Sequence, residues 1–240
     1  MGRFKDQTVA VVGGGSGIGK AVAAAAAGEG AALVLSSRNE VKLQQAAATL
    51  AGAQALAVDM TEPSSVDVWT KALPPIDHLV ISASSAAHGG FAEVEETEVR
   101  AMFDAKFFGP YATAKAALPK LRAGGSITLF SGVLSRRPGR NCSGLAAVNG
   151  AVEGLTRALA LELGPTLRVN CVSPGMVRSE AYAAMDQGAR EAMYEATGAS
   201  LPVGRVGAVA EAADAALFLM ANRYTTGLVL DVDGGHVVRQ

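Results

Sequence analysis

The chain has 240 residues, 50% of them hydrophobic and 18% charged, with a formal net charge of −1. That length and apolar share suit one globular domain with a large core, and the near-neutral balance gives no basic footprint for nucleic acid or an anionic membrane. Two cysteines, Cys142 and Cys171, without CxxC spacing and three scattered histidines argue against a disulfide framework and a metal centre.

The opening "MGRFKDQ" runs directly into the buried-strand pattern "TVAVVG", so no secretory leader is expected, and position 6 lacks the Ser or Thr of a myristoylation signal. No apolar run is long enough to span a bilayer. The expectation is a cytoplasmic protein with a small-molecule substrate and neither nucleic-acid nor membrane partner.

Residues 8–22, "TVAVVGGGSGIGKAV", read as a strand, a glycine-rich turn and a helix start. Gly13 permits a sharp turn, Gly17 lets the backbone approach a pyrophosphate, and Gly19 allows tight helix–strand packing. The helix N-terminus, with Gly15, Ser16 and Ile18 around it, offers N–H groups to phosphates. The strand–turn–helix context points to a dinucleotide, against the plainer alternative of a tight turn.

A second strand, "ALVLSS", is followed by Arg38, with no carboxylate until Glu40. An enzyme preferring NAD usually places an acid there for the ribose hydroxyls. Ser37 and Arg38 suit a 2′-phosphate instead, so the expected cofactor is NADP(H). The third strand, "QALAVD", closes on Asp59 and Met60, where Asp59 either accepts from an adenine amino group or caps the next turn.

Four further runs, "HLVISAS", "SITLFSG", "LRVNCVSP" and "GLVLDVDGG", alternate with helix-length stretches. Helices are expected at 17–29, 39–50, 62–72, 94–122, 144–163 and 209–222. Runs that are apolar on both faces and alternate with helices predict an α/β class fold. Its form is a single-domain, doubly wound parallel sheet of about seven strands with helices on both faces. No linker divides 1–240. The segment 176–208 breaks the rhythm and is expected to form short helices past the carboxyl edge of the sheet, as a substrate lid.

These motifs together resemble the classical short-chain dehydrogenase/reductase family. The resemblance rests on the Gly13-x-x-x-Gly17-x-Gly19 loop, Asp59, the stretch "GAVEGLTRALALEL", "VNCVSPGMV" and the closing "TGLVLDVDGG". It implies a Rossmann-type dinucleotide fold and an oxidoreductase acting by hydride transfer on a small carbonyl or alcohol. It also implies a homodimer or homotetramer paired through the central and active-site helices. The segment Pro174, Gly175 to Val177 would line the nicotinamide, and Ala83 and Asn149 fall at cofactor-facing places. Val12 replaces the Thr common before the first glycine.

The catalytic positions depart from the family pattern. Lys106 stands where the family has Asn, Gly132 where it has Ser, and Leu145 and Asn149 where it has Tyr and Lys. Ser131 lies one residue before the Ser place, and a one-residue offset at a strand end turns a side chain to the other face. Reduction of a carbonyl needs a proton donor for the developing alkoxide, which the family supplies from a tyrosine whose pKa a lysine lowers. Leucine cannot donate a proton. General acid catalysis is worth roughly 10²–10⁴ in rate.

Three residues are candidate relocated acids. Lys106 would supply the charge that position 149 lacks, or else snorkel along the helix surface. His88 lies in the loop after the fourth strand. Tyr182 lies in the expected lid and would reach inward or pack on its neighbours. Arg136, Arg137 and Arg140 form a basic loop that would receive an anionic substrate or stand as a solvated rim. Ser131 and Ser143 lack a His–Asp pattern for hydrolase chemistry. Three functions follow from this reading: an NADP(H)-dependent oxidoreductase with a relocated acid, a silent NADP(H)-binding sensor or partner subunit, and a non-redox lyase or isomerase on the same scaffold.

Overall fold

A computed structural model describes residues 2–82 and 89–239. The apolar runs form β1 (Thr8–Val12), β2 (Ala32–Ser36), β3 (Gln54–Ala55), β4 (Ile76–Ile81), β5 (Leu121–Phe130) and β6 (Arg168–Pro174). Two short strands, β7 (Val177–Arg178) and β8 (Gly207–Ala208), pair separately, and β9 (Val229–Val232) completes the main sheet. That sheet has seven parallel strands in the order β3-β2-β1-β4-β5-β6-β9. The winding reverses between β1 and β4. In an open α/β sheet the crevice at the carboxyl ends of such a pair is where ligands bind.

Helices cover both faces. β1 shows why: Val9 and Val11 belong to one buried cluster, Ala10 and Val12 to another, as the two-residue period of a strand requires. The first cluster packs against α1 (Gly17–Gly28), α2 (Glu40–Ala48) and α8 (Val209–Ala221). The second packs against α3 (Pro63–Ala72), α5 (Gly109–Ala117) and α6 (Ser143–Leu163). Each fully buried Leu, Ile or Val of these clusters stabilises the fold by roughly 1.5–3 kcal/mol. Trp69 of α3 donates from Nε1 to Ser36 Oγ at 2.8 Å, which satisfies a buried hydroxyl at the end of β2.

Two stretches differ from the sequence expectation. The third run is assigned as strand only over Gln54–Ala55, yet Leu56 N–H still donates to Leu35 O and Val58 N–H to Ser37 O. The stretch 94–122 is not one helix. It is α4 (Glu96–Phe103), a π-helical turn (Asp104–Phe108), α5 and a 3₁₀ turn (Leu118–Lys120), and β5 already begins at Leu121. Proline explains the π turn. Pro110 has no N–H for the Lys106 carbonyl and its ring crowds that oxygen. The next ring is therefore one residue wider, with Gly109 N–H on Asp104 O. The segment 176–208 contains β7, a 3₁₀ turn (Glu180–Tyr182), α7 (Gln187–Ala199) and β8.

Among the described residues, no helix is long and apolar enough to cross a membrane. Also among the described residues, no group of three or more His, Cys, Asp or Glu could hold a metal ion.

Candidate active site

A cavity of about 430 Å³ opens at the carboxyl edge beside the β1–β4 reversal. Gly13, Gly15, Ser16, Gly17 and Ile18 form one wall, Ser37 and Arg38 another, and Asp59 and Met60 a third. The glycine turn has the backbone the spacing requires, with φ of 89° at Gly13 and 54° at Gly17. Gly19 is needed for contact: a Cβ there would stand 2.3 Å from the Gly13 carbonyl oxygen. It sits behind the wall and lets α1 start against the strand end.

Several residues of the wall were not singled out from the sequence. Asn39 and Lys42 line it from the start of α2, where Asn39 Oδ1 accepts from Lys42 N–H at 2.9 Å. The available signal was position: Asn39, directly after Arg38, caps α2, and Lys42 lies in its first turn. Ser82 also faces the cavity, and its buried hydroxyl has no partner among the described residues. Asp59 spends Oδ1 on Thr61, accepting from its N–H at 2.9 Å and its hydroxyl at 2.7 Å. The turn-capping alternative therefore holds, and it coexists with a place on the cavity wall.

The structure does not bring every expected residue to this cavity. Asn149, Pro174, Gly175 and Val177 lie off its wall. Pro174 pairs with Val232 at the sheet edge, and Val177 is buried on β7 opposite Gly207. Ala83 and His88 lie outside the described residues.

Lys106 sits in the π-helical turn, 7% exposed, and Nζ donates to the Ser131 carbonyl at 3.1 Å. Its surroundings are Ile81, Pro110, Leu129, Phe130, Val152 and Leu155. Burial in this apolar layer pulls its pKa down to about 8, while the Cys171 thiol acts weakly the other way. Among the described residues no carboxylate forms an ion pair with it. Ala105, not Lys106, lines the large cavity.

Gly132, which the family resemblance places at the Ser position, stands close to Asn149. Asn149 is 2% exposed, and a Cβ on Gly132 would stand 3.0 Å from its Nδ2. Ser131 keeps the alternation of Ile127 and Leu129 toward the α6 layer, where its Oγ donates to Glu153 Oε1 at 3.2 Å, and it is Gly132, past the end of β5 at Phe130, that departs by also facing Asn149 of α6. Ser135 Oγ donates to the same oxygen at 2.5 Å. The buried Glu153 also lies 3.8 Å from Arg136 Nε. Arg136 further pairs with Asp231, and Arg137 donates to the Arg239 carbonyl. Two of the three arginines of the basic loop thus hold the fold together at the end of β9.

Tyr182 closes the 3₁₀ turn whose neighbours Ser179, Glu180 and Ala181 line the cavity. Its ring meets Tyr194 edge-on at 5.9 Å. Burial raises its pKa, with smaller contributions from Tyr194 and Cys142. Glu180 was also missed in the sequence; its Oε2 accepts from Gly17 N–H at 2.8 Å.

Comparison with known proteins fits this geometry. A family model described as enoyl-(acyl carrier protein) reductase matches residues 12–236. The chain is 35% identical to a galactitol 2-dehydrogenase (L-tagatose-forming) of Cereibacter sphaeroides, over 98% of this chain and 97% of that protein. It is 30% identical to a 3-oxoacyl-[acyl-carrier-protein] reductase of Mus musculus, over 96% of this chain and 98% of the other. A solved structure of a small-chain dehydrogenase in complex with NADPH superposes with a TM-score of 0.86 at 38% identity, covering 97% of this chain and 99% of that one. Sheet order, glycine turn and whole-length similarity agree: the chain belongs to the short-chain dehydrogenase/reductase family.

Proposed function

We propose that this protein is an NADP(H)-dependent oxidoreductase that acts on a small carbonyl or alcohol by hydride transfer, with weakened acid–base catalysis. One observation carries the reading: a single cavity gathers the glycine turn, Ser37, Arg38, Lys42 and the Ser82 hydroxyl, which has no partner among the described residues. That wall fits the cofactor. The α1 amides and glycine turn would hold the pyrophosphate, and Arg38 with Lys42 would hold a 2′-phosphate. The absence of an acid at the end of β2 favours NADPH over NADH. NADPH, when bound, supplies the hydride.

This chain's own residues must then manage the proton. Lys106 is committed to the Ser131 carbonyl and walled by apolar side chains. Tyr182 has the better claim, because its turn borders the cavity. Its pKa is raised, so it stays protonated at neutral pH and donates reluctantly. Slow turnover follows. The segment 176–208 is the lid in this reading. The exposed Phe108 just before α5, Tyr111 on α5 and Leu161 on α6 support a homo-oligomer.

A second reading, a silent NADP(H)-binding subunit, is supported by Asn149 filling the space at Gly132. Fluorescence titration with NADPH and NADH, followed by a screen of aldehydes, ketones and quinones for NADPH consumption, separates the two. Turnover that Tyr182→Phe abolishes is expected. Binding without consumption of any substrate would favour the silent reading, and failure to bind either nucleotide would overturn both.

A further inference from the structure

The protein carries an anion of its own where a dinucleotide's pyrophosphate would sit. Gly17 opens α1, a helix of 12 residues whose first turn holds no acidic side chain. Ser16, in the capping position, makes no side-chain capping bond. The unpaired amides of a helix start attract negative charge. Here that charge comes from far along the chain: Glu180 Oε2 takes the Gly17 N–H at 2.8 Å. Ser179, Glu180 and Ala181 line the same cavity as the glycine turn and Arg38.

We propose that Glu180 is an autoinhibitory latch on the cofactor site: its carboxylate occupies the pyrophosphate seat at Gly17, and the incoming dinucleotide must expel it. The proposal rests on the dinucleotide reading above. A carboxylate and a phosphate cannot share one amide, and two anions at that distance repel. Binding therefore swaps one charge-assisted hydrogen bond for another, and the measured affinity is the difference between them.

The expelled side chain does not move alone. It belongs to the 3₁₀ turn that ends at Tyr182. The Tyr182 carbonyl accepts from Arg190 at 3.4 Å, and its ring rests on Tyr194 at 5.9 Å. Both partners lie on α7. Displacing Glu180 thus pulls on α7 through two contacts, so cofactor entry is coupled to rearrangement of the 176–208 segment. A ligand shifts such an equilibrium only through its different affinity for the two arrangements, and competition at Gly17 provides that difference.

Hydrogen exchange at the Gly17 amide and NADPH titration, on wild type, Glu180→Gln and Glu180→Ala, test the latch. In the protein without nucleotide, Glu180→Ala should speed exchange at Gly17. Both variants should bind NADPH about fivefold more tightly, as expected for removing a competing carboxylate at a helix N-terminus. NADPH should also speed exchange across α7 in wild type, and that increase should shrink in Glu180→Ala. Unchanged Gly17 exchange in Glu180→Ala would overturn the latch, as would equal or weaker NADPH binding by both variants. If NADPH binds none of the three folded proteins, the dinucleotide reading fails and the competition with it. In that case a change at Gly17 would still report the contact separately.

Discussion

Asn149 stands over Gly132 so closely that a Cβ on the glycine would lie 3.0 Å from the amide nitrogen. These positions, on α6 and just past β5, are where the family resemblance expects a lysine and a serine. The pair is therefore one packed unit rather than two independent losses. Restoring one member alone meets the other.

Gly132→Ser by itself should destabilise the protein by about 1–3 kcal/mol, the usual range for overpacking. It should restore no activity. Gly132→Ser with Leu145→Tyr and Asn149→Lys replaces the branched amide by an unbranched chain that can rotate away from position 132 and rebuilds the acid, and should raise carbonyl reduction by roughly 10²-fold or more. Thermal unfolding and NADPH-consumption assays on the single and triple variants check both halves. A stable, active single variant would refute the packing argument.

Lys106 makes stability depend on alkaline pH. Its pKa is about 8 in the folded protein against an ordinary 10.5. Between those values the unfolded chain binds more protons, so stability should climb as pH rises from about 8 to 10.5. Below pH 8 the buried cation costs about 3 kcal/mol. Lys106→Met should remove this slope and be the more stable protein near neutrality. Denaturant titrations of both proteins across that range give the difference curve, which should not be flat.

His78 acts at the acid end. Its Nδ1 lies 2.8 Å from Ser126 Oγ and its Nε2 3.2 Å from Gln7 Oε1, at the amino edge of the sheet. Burial lowers its pKa from 6.5 to about 4, with Arg168 adding to the effect. The unfolded chain therefore takes the proton first, and stability is lost as pH falls from 6.5 toward 4. The loss should reach about 3 kcal/mol. His78→Gln should flatten this limb in acid-unfolding curves; an unaltered limb would place the acid sensitivity elsewhere.

Arg38 decides the choice of nucleotide in the proposed function. It is exposed on the cavity wall with Lys42 four residues on. Arg38→Ala should weaken NADPH binding by about tenfold while leaving NADH nearly unchanged, since only the former has a 2′-phosphate for a guanidinium to grip. Parallel fluorescence titrations measure the ratio, and an equal loss for both nucleotides would remove Arg38 from the 2′-phosphate site.

Much of the fold was legible because its signals are short-range. The runs "TVAVV" and "SITLF" lie within β1 and β5 since period-two burial is written in neighbouring residues. The glycine turn is equally local, because positive φ at Gly13 and Gly17 is a property of those residues. Pro110 was in plain view too, yet its effect on the Lys106 carbonyl, a π-helical turn, was not drawn from it.

What the sequence alone determined was the order of the main-sheet strands along the chain and the dinucleotide-type turn. Tertiary structure decided where the remaining charges went. Gly17 and Glu180 are 163 positions apart, and Lys106 and the Ser131 carbonyl 25. No local periodicity encodes such partners. They are selected by close packing and by the cost of leaving a buried polar group unpaired, which is settled only when the whole chain has condensed.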